Sequence, residues 1–299
     1  MEPKVGVILN PVSGRGAAGE VRAWLRLRLA ERLDLCEVRS GTDVADWARR
    51  RAEAGLERLL IVGGDGTFRS VASALLGSDV PVGLVATGTN NNIAAVLGLP
   101  SNPYEAAEIA LTGEPQWISA GRIGDYVFFE GAGVGLEADL FPVGEAIVRR
   151  RFADILRAPL QLARDRCVDI DIELDSAPEP IRVRAFTLTI SNTPMTGAHL
   201  QFAPTVDIRD PALFMTVYHD LSRLDMLRAA PGLRQGSHGS GYRAVCYPFM
   251  HARIEAREPL HVHADGTLVG SLPVEVEAIP RAVRVVLPAS AGPVEAKGS

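Results

Sequence analysis

The chain has 299 residues, of which 47% are hydrophobic and 22% charged, and it carries a net charge of −5. This composition predicts a globular protein of two domains, and the acidic balance argues against nucleic-acid binding. No apolar stretch reaches the roughly 18 residues that a membrane span needs, and the start lacks a signal-peptide pattern, so we expect a cytoplasmic protein.

The small numbers of lysines and cysteines limit the kinds of catalysis and phosphate binding that the chain can support. The only lysines are Lys4 and Lys297, which argues against Schiff-base chemistry and against a P-loop lysine. A phosphate would therefore have to be held by backbone N–H groups, hydroxyls, arginines or a metal ion. The cysteines are far apart among apolar neighbours, which predicts reduced core thiols rather than a metal or disulfide set at Cys36, Cys167 and Cys246.

The first part of the chain alternates apolar strands with helical patterns. Strands are predicted at 4–10, 35–38, 59–62 and 81–85, and helices at 17–33, 42–54, 68–76, 93–97 and 103–111. This alternation predicts a doubly wound parallel sheet with helices on both faces. Three strands end in polar, glycine-rich turns at 10–16, 63–67 and 87–92. Because ligands bind at the carboxyl ends of such strands, we expect the three turns to form one site.

The turn at 61–67, Ile-Val-Gly-Gly-Asp-Gly-Thr, has the character of an anion site. Its glycines allow backbone N–H groups to approach a ligand, and the following helix adds a positive N-terminus. Asp65 is unusual there, since a carboxylate repels a phosphate unless a cation lies between them. The turn therefore predicts a metal–nucleotide site, and the alternative is a purely structural Gly-Asp-Gly turn.

After Pro115 the pattern changes to strand-like runs, which predicts a second, mainly antiparallel domain. The runs cover 117–123, 126–131, 168–174, 181–191, 214–219, 243–246, 252–256, 260–263, 274–278 and 283–287. One helical insert, roughly 144–166, carries six arginines against three acidic residues. It is either a solvated arginine face or a surface that contacts anionic lipid headgroups at the periphery of a membrane.

Several short motifs occur in a characteristic order. They are Asn-Pro-Val-Ser-Gly at 10–14, Gly-Gly-Asp-Gly-Thr at 63–67, Gly-Thr-Asn-Asn-Asn-Ile-Ala at 88–94, Gly-Ala-Gly-Val-Gly-Leu-Glu-Ala at 131–138, Ser-Asn at 191–192, Phe-Ala-Pro at 202–204 and Asp-Gly at 265–266. Together they resemble the catalytic domain of the diacylglycerol kinase and sphingosine kinase family, in its bacterial soluble lipid kinase branch. The resemblance spans nearly the whole chain.

This resemblance implies an N-terminal α/β nucleotide-binding domain at 1–116 and a C-terminal β-sandwich domain for the lipid at 117–287. The active site would lie in the cleft between them, and a segment at about 288–299 would return to the first domain. It further implies ATP, Mg²⁺ and a lipid substrate. The residues that would line the nucleotide are Asn10, Ser13, Gly14, Thr42, Gly64, Gly66, Thr67, Thr89 and Asn91.

The resemblance also assigns the charged groups. Asp65 would act near the phosphates through Mg²⁺, and Asp265 would be the general base that accepts the proton of the lipid hydroxyl. Asp210 is a weaker candidate as a ligand of a structural cation. Two positions depart from the family pattern, since Thr267 stands in place of a glutamate and Pro211 in place of a glycine.

Three functions follow from these observations. The first is an ATP-dependent lipid kinase of phospholipid metabolism, acting on a diacylglycerol-like or long-chain-base-like hydroxyl. The second, favoured by the departures at Pro211 and Thr267, is a lipid- or nucleotide-binding protein with little catalysis. The third is a kinase of a soluble alcohol such as NAD. The sequence leaves the acceptor and a homodimer open.

Overall fold

The computed structural model describes residues 4–14, 17–39, 42–135, 138, 167–185, 187–194, 205–219 and 243–289. Among them the chain divides into two compact units, the first reaching Ile118 and resuming at Arg281, and the second running from Ser119 to Pro280. The predicted basic helix at 144–166, the motif at 202–204 and most of the segment at 288–299 lie outside the described residues.

The first unit alternates strands and helices. Its elements are β1 Val5–Leu9, α1 Ala17–Leu29, β2 Leu33–Glu37, α2 Val44–Glu53, β3 Arg58–Gly63, α3 Asp65–Ala74, β4 Val82–Ala86, α4 Asn92–Val96 and α5 Pro103–Thr112. The strands pair in parallel in the order β2-β1-β3-β4. The last strand among the described residues, Val274–Leu287, adds to this sheet through Val285 beside Val82.

Helices cover both faces of this sheet. On one face α1 and α5 bury Val21, Leu25 and Ala107 against Val7 and Val62 of the central strands. On the other face α2 packs beside α3. All five residues of β1 are buried, as expected for a central strand covered on both sides. The doubly wound arrangement predicted from the sequence is therefore present.

Two helix boundaries differ from the prediction by three residues or more. The helix predicted at 17–33 ends at Leu29, because Ala30 has φ +48° and begins a short 3-10 turn before β2. The helix predicted at 68–76 begins three residues earlier, at Asp65. The Asp-Gly-Thr part of the glycine motif is therefore the first turn of α3, with Gly64 as its N-cap residue.

The second unit is built from strands, and its division from the first falls within β5 and β16. The strands are β5 Glu114–Ile123, β6 Tyr126–Phe128, β7 Gly131–Gly135, β8 Val168–Leu174, β9 Ile181–Ala185, β10 Thr187–Ser191, β11 Leu213–His219, β12 Arg243–Phe249, β13 His251–Ala256, β14 His261–Ala264, β15 Thr267–Ser271 and β16 Val274–Leu287.

These strands form two antiparallel layers around one core. One layer has the order β12-β11-β10-β7-β14-β15, and the other contains β13 between β8 and the start of β16, with β9 beyond β8. Ile170 and Ile172 of β8 share a buried cluster with Leu188 and Ile190 of β10. The predicted fold class, an α/β domain followed by an antiparallel β-sandwich, is confirmed. None of the helices within the described ranges is both long and apolar enough to cross a membrane.

Candidate active site

The three predicted turns at the carboxyl ends of β1, β3 and β4 lie against one another. Asn10 Nδ2 donates to Thr67 Oγ1 over 3.4 Å, which joins the first turn to the second. The hydroxyls of Ser13 and Thr87 are 2.6 Å apart, which joins the first turn to the third. Thr87 N also donates to Gly63 O over 2.9 Å. We call this group of three turns the cradle.

Glycines permit the close approach of these turns. A Cβ at Gly88 would lie 2.6 Å from Gly64 Cα, which leaves no room for a side chain, and a Cβ at Gly64 would be tight at 3.1 Å from Gly88 Cα. Gly14 has φ +72°, and its Cβ would lie 2.7 Å from Thr87 O. Gly66 differs, because its Cβ would meet no heavy atom within 4 Å. The backbone is therefore packed where the turns meet and open at the start of α3.

The open position coincides with the N-terminus of a ten-residue helix. Gly64 O accepts the N–H groups of Thr67 and Phe68 at 3.0 Å each, which begins α3 with regular geometry. The first turn of a helix presents backbone N–H groups and about half a positive charge. The second and third turns also carry the hydroxyls of Thr67 and of the exposed Thr89. Together these groups can hold phosphate oxygens without a lysine.

Asp65 is held across the cradle by the start of α4. Its carboxylate accepts the backbone N–H groups of Asn92 at 3.2 Å and Ile93 at 3.3 Å. Burial raises the pKa of Asp65, and the hydrogen bonds from Ile93 and Asn92 oppose this without cancelling it. The negative charge of Asp65 is therefore costly in the folded protein, and a cation would reduce that cost.

This environment fits a magnesium ion that arrives with a nucleotide. Among the described residues, no three His, Cys, Asp or Glu side chains cluster closely enough to hold a metal ion by themselves. Mg²⁺ commonly binds through one or two carboxylates together with phosphate oxygens and waters. Asp65 could supply such a carboxylate, and the ion would neutralise phosphate charge.

The remaining predicted nucleotide residues fall into two groups. Asn91 belongs to the cradle, since its Nδ2 donates to Gly88 O over 3.0 Å, and its buried Oδ1 has no hydrogen-bond partner within the described residues. Thr42 lies in the turn before α2, where its Oγ1 accepts the N–H of Arg39 over 3.0 Å. Within the part of the chain that the structure describes, no hydrogen bond joins Thr42 to the cradle.

The sequence did not single out Thr87, which is central to the cradle. It is 5% exposed and contacts both Ser13 and Gly14. Its position directly after β4 matches that of Asn10 after β1, and this equivalence is the signal that could have identified it.

Asp265, the predicted general base, lies in the second unit at the turn between β14 and β15. Asp265 and Gly266 both have positive φ, +42° and +73°, as expected for a two-residue hairpin turn. The Asp265 carboxylate accepts the backbone N–H groups of Phe129 at 2.8 Å, Glu130 at 2.9 Å and Gly131 at 3.2 Å. Asp265 thus holds the main chain of residues 129–131 in place, a structural role that the sequence did not predict.

Asp210, the weaker metal candidate, closes a tight turn in the second unit. Its Oδ2 accepts Asp207 N over 3.3 Å. The neighbouring Asp207 carboxylate is held by Arg209 Nε at 2.8 Å. Burial would raise the pKa of Asp207, but the hydrogen bonds and charge of Arg209 lower it overall. Arg209 thus places a positive charge beside this turn, and the cation at Asp210 stays a prediction.

Comparisons with known proteins agree with this fold. A family model described as the diacylglycerol kinase catalytic domain matches residues 4–123, and one described as the YegS C-terminal NAD kinase beta sandwich-like domain matches residues 149–287. A diacylglycerol kinase from Mycobacterium tuberculosis is 31% identical over 302 residues, covering 95% of both chains. One from Bacillus subtilis is 23% identical over 291 residues, covering 94% of this chain and 95% of the relative.

A solved structure supports the same architecture. The crystal structure of a diacylglycerol kinase from Bacillus anthracis str. Sterne has a TM-score of 0.73 at 16% identity, over 97% of this chain and 98% of that chain. The fold and the match to the Mycobacterium relative place the chain in a family of lipid kinases. This chain belongs to the diacylglycerol kinase family, as its motifs predicted.

Proposed function

We propose that this protein transfers the γ-phosphoryl group of ATP to the hydroxyl of a diacylglycerol-like lipid, with Mg²⁺ as the metal ion. The observation that carries the proposal is the cradle, in which three glycine-rich turns converge beside the open N-terminus of α3. Phosphoryl transfer depends mainly on positioning and on neutralising phosphate charge, and the cradle offers groups for both tasks.

Each part of the cradle has a role in this proposal. In the first turn of α3, Gly66 would bind phosphate oxygens through its N–H group and Thr67 through its hydroxyl. Ser13 and Asn91 would add polar contacts to the nucleotide. Asp65 would hold Mg²⁺ against the phosphates, which relieves the cost of its partly buried charge.

Diacylglycerol is the favoured acceptor because the relatives from Mycobacterium tuberculosis and Bacillus subtilis, which match almost the whole chain, are named diacylglycerol kinases. A catalytically weak binding protein is the second candidate. It is favoured by Thr267 and by the three backbone N–H groups that already occupy the Asp265 carboxylate. A soluble alcohol such as NAD is the third, and its only support is the NAD kinase-like description of the second family model.

The proposed site of action is the cytoplasmic face of the membrane, where the lipid substrate resides. The predicted basic helix at 144–166 would hold the protein there by electrostatic contact with anionic headgroups. Vesicle sedimentation that falls steeply with salt is the expected result, since such contacts are screened within a Debye length.

The proposal is tested by incubating the protein with γ-labelled ATP, Mg²⁺ and dioleoylglycerol in mixed micelles, followed by phase separation. Label in the organic phase supports it. Label in an aqueous product formed with NAD would select the soluble-alcohol kinase, and no transfer with intact ATP binding would select the binding protein. Asp65→Asn should abolish transfer, and Asp125→Asn, at an exposed turn residue, is the matched control.

A further inference from the structure

The first and third turns of the cradle are joined by a pair of hydroxyl groups. Ser13 Oγ and Thr87 Oγ1 are 2.6 Å apart, so one of them donates a hydrogen bond to the other. Ser13 is half-buried in the first turn, whereas Thr87 directly follows β4 and is 5% exposed. Of the two, only Ser13 was predicted from the sequence to contact the nucleotide. The direction of their hydrogen bond decides what each hydroxyl can offer a ligand.

A second hydrogen bond of Ser13 fixes this direction. Ser13 Oγ also donates to the carbonyl oxygen of Asn10 over 2.8 Å. A hydroxyl carries one proton and two lone pairs, whereas a carbonyl oxygen can only accept. The proton of Ser13 is therefore used on Asn10, and the proton between the two hydroxyls comes from Thr87.

In this arrangement neither hydroxyl has a proton to offer a phosphate group. Ionised phosphate oxygens accept hydrogen bonds, so they would meet only the lone pairs of Ser13 and Thr87. Ser13 can bind such an oxygen only if its proton turns away from Asn10 O. That carbonyl would still accept the backbone N–H of Ser13 at 3.2 Å, so the rotation leaves no carbonyl oxygen without a donor.

The main chain of Thr87 is held independently of the Ser13 hydroxyl. Thr87 N donates to Gly63 O over 2.9 Å, which ties it to the second turn. A Cβ at Gly14 would lie 2.7 Å from Thr87 O and 3.0 Å from Thr87 Cβ, so the first turn packs directly on this residue. Thr87 is therefore a buried donor on a fixed backbone, and it can keep its bond to Ser13 Oγ while the Ser13 proton turns.

We propose that Thr87 is a positioning residue for the nucleotide phosphates that acts through Ser13, an inference that rests on the proposed function. When ATP binds, the hydroxyl proton of Ser13 turns from Asn10 O to a phosphate oxygen, while Thr87 continues to donate to Ser13 Oγ. A hydroxyl that accepts a hydrogen bond donates a stronger one, because chains of hydrogen bonds polarise one another. Thr87 thus fixes the Ser13 side chain and strengthens its bond to phosphate.

The first experiment measures the Kd for ATP, with Mg²⁺ present, by calorimetric titration of Thr87→Val and Thr87→Ser. Valine keeps the branched shape but removes the donor, so the Kd should rise about five- to tenfold. Serine keeps the hydroxyl, and its Kd should lie within about twofold of wild type. Thr112→Val is the matched control, since the Thr112 hydroxyl donates to Glu108 O over 2.8 Å at the end of α5, outside the cradle. This control should bind ATP as wild type does.

The action through Ser13 is tested by a double-mutant cycle. Ser13→Ala should weaken ATP binding at least as much as Thr87→Val does. Because Thr87 acts through the Ser13 hydroxyl, adding Thr87→Val to the Ser13→Ala chain should change the Kd by less than about twofold. A full additional loss in that background would overturn the assignment of Thr87 as a positioning residue for Ser13.

The melting temperature separates positioning of the nucleotide from a purely structural role of Thr87. If Thr87→Val melts at a lower temperature but binds ATP within about twofold of wild type, the hydroxyl pair only joins the turns and the proposal is overturned. Failure of Thr87→Ser to restore the affinity would overturn it as well. If Thr87→Val does not fold, the smaller Thr87→Ala removes the same donor, and an unchanged affinity there has the same meaning.

Titration with ATP keeps the outcome distinct from that of the proposed function. Wild type that binds ATP but forms no lipid phosphate overturns the lipid kinase alone, and the double-mutant cycle still decides the role of Thr87. Lipid phosphate formed by a Thr87→Val protein with unchanged ATP affinity overturns the role of Thr87 alone. Wild type that binds no ATP overturns both. In the transfer assay, Thr87→Val should raise the KM for ATP by a larger factor than it lowers kcat.

Discussion

The substitution Gly66→Ala separates the stability of the cradle from its use as a phosphate site. Gly66 is the second residue of α3, its φ lies outside the left-handed region, and its Cβ would meet no heavy atom within 4 Å. Alanine therefore fits the folded protein without strain. Because alanine is the better helix former, the free energy of unfolding should rise by about 0.5–1 kcal/mol.

Binding should change in the opposite direction. A phosphate held by the first turn of α3 must approach the backbone where the new methyl group would stand. We expect the affinity for ATP in the presence of Mg²⁺ to fall at least tenfold, which corresponds to about 1.4 kcal/mol. Calorimetric titration measures the affinity, and urea unfolding measures the stability.

Gly19→Ala is the matched control for this experiment. Gly19 is an exposed glycine in α1, and its Cβ would also meet no heavy atom within 4 Å. It should show the same gain in stability with unchanged ATP affinity. If Gly66→Ala binds ATP as tightly as wild type, the phosphates do not lie at the start of α3 and the proposed role of the cradle is wrong.

Three further predictions concern charge and packing. Burial raises the pKa of Asp65 above its ordinary 3.8, so the folded state binds the proton of this carboxyl more tightly than the unfolded state does. The stability of the ligand-free protein should therefore fall as the pH rises from 3.8 through the raised pKa. Asp65→Asn should remove this pH dependence in urea unfolding and weaken Mg²⁺-dependent ATP binding; an unchanged pH profile would contradict it. Asp265→Asn leaves one amide oxygen as an acceptor and places an NH₂ group against a backbone N–H, so the free energy of unfolding should fall by about 2–4 kcal/mol. Undiminished stability would contradict the structural role of the three backbone hydrogen bonds that Asp265 accepts. Gly121→Ala would place a Cβ 2.0 Å from the ring of the buried Phe128 and should lower the free energy of unfolding in urea by about 1–3 kcal/mol. Adding Phe128→Leu to the same chain should recover part of this loss of stability. No recovery would point to another cause.

The sequence predicted the first unit well because its elements depend on local patterns. Apolar runs such as β1 are buried on both faces, and Asp43 caps α2 by accepting Asp46 N over 2.9 Å, as a helix start predicts. The gathering of the three turns followed from parallel topology alone. The errors were boundaries, since Ala30 ends α1 in a positive-φ conformation that nothing in its residue type indicates.

The second unit was less predictable because its strands depend on partners far away in the chain. The strand β15, Thr-Leu-Val-Gly-Ser, lacks a regular apolar alternation and was not predicted. The run predicted at 181–191 separates into two strands, the run predicted at 126–131 covers β6 and only the first residue of β7, and the runs predicted at 274–278 and 283–287 join in β16. Cys167 and Cys246, predicted as core thiols, are exposed. The bonds from Asp265 reach residues 134 to 136 positions away, so no local pattern could reveal them.

Phosphorus NMR of the organic phase tests the central claim most directly. After incubation of wild type with ATP, Mg²⁺ and dioleoylglycerol, we expect a phosphate monoester resonance in the lipid fraction, with ADP formed in equal amount. The same resonance should be absent when Asp65→Asn replaces wild type. ATP that binds but yields no lipid phosphate, or ADP released with inorganic phosphate alone, would contradict the assignment as a lipid kinase.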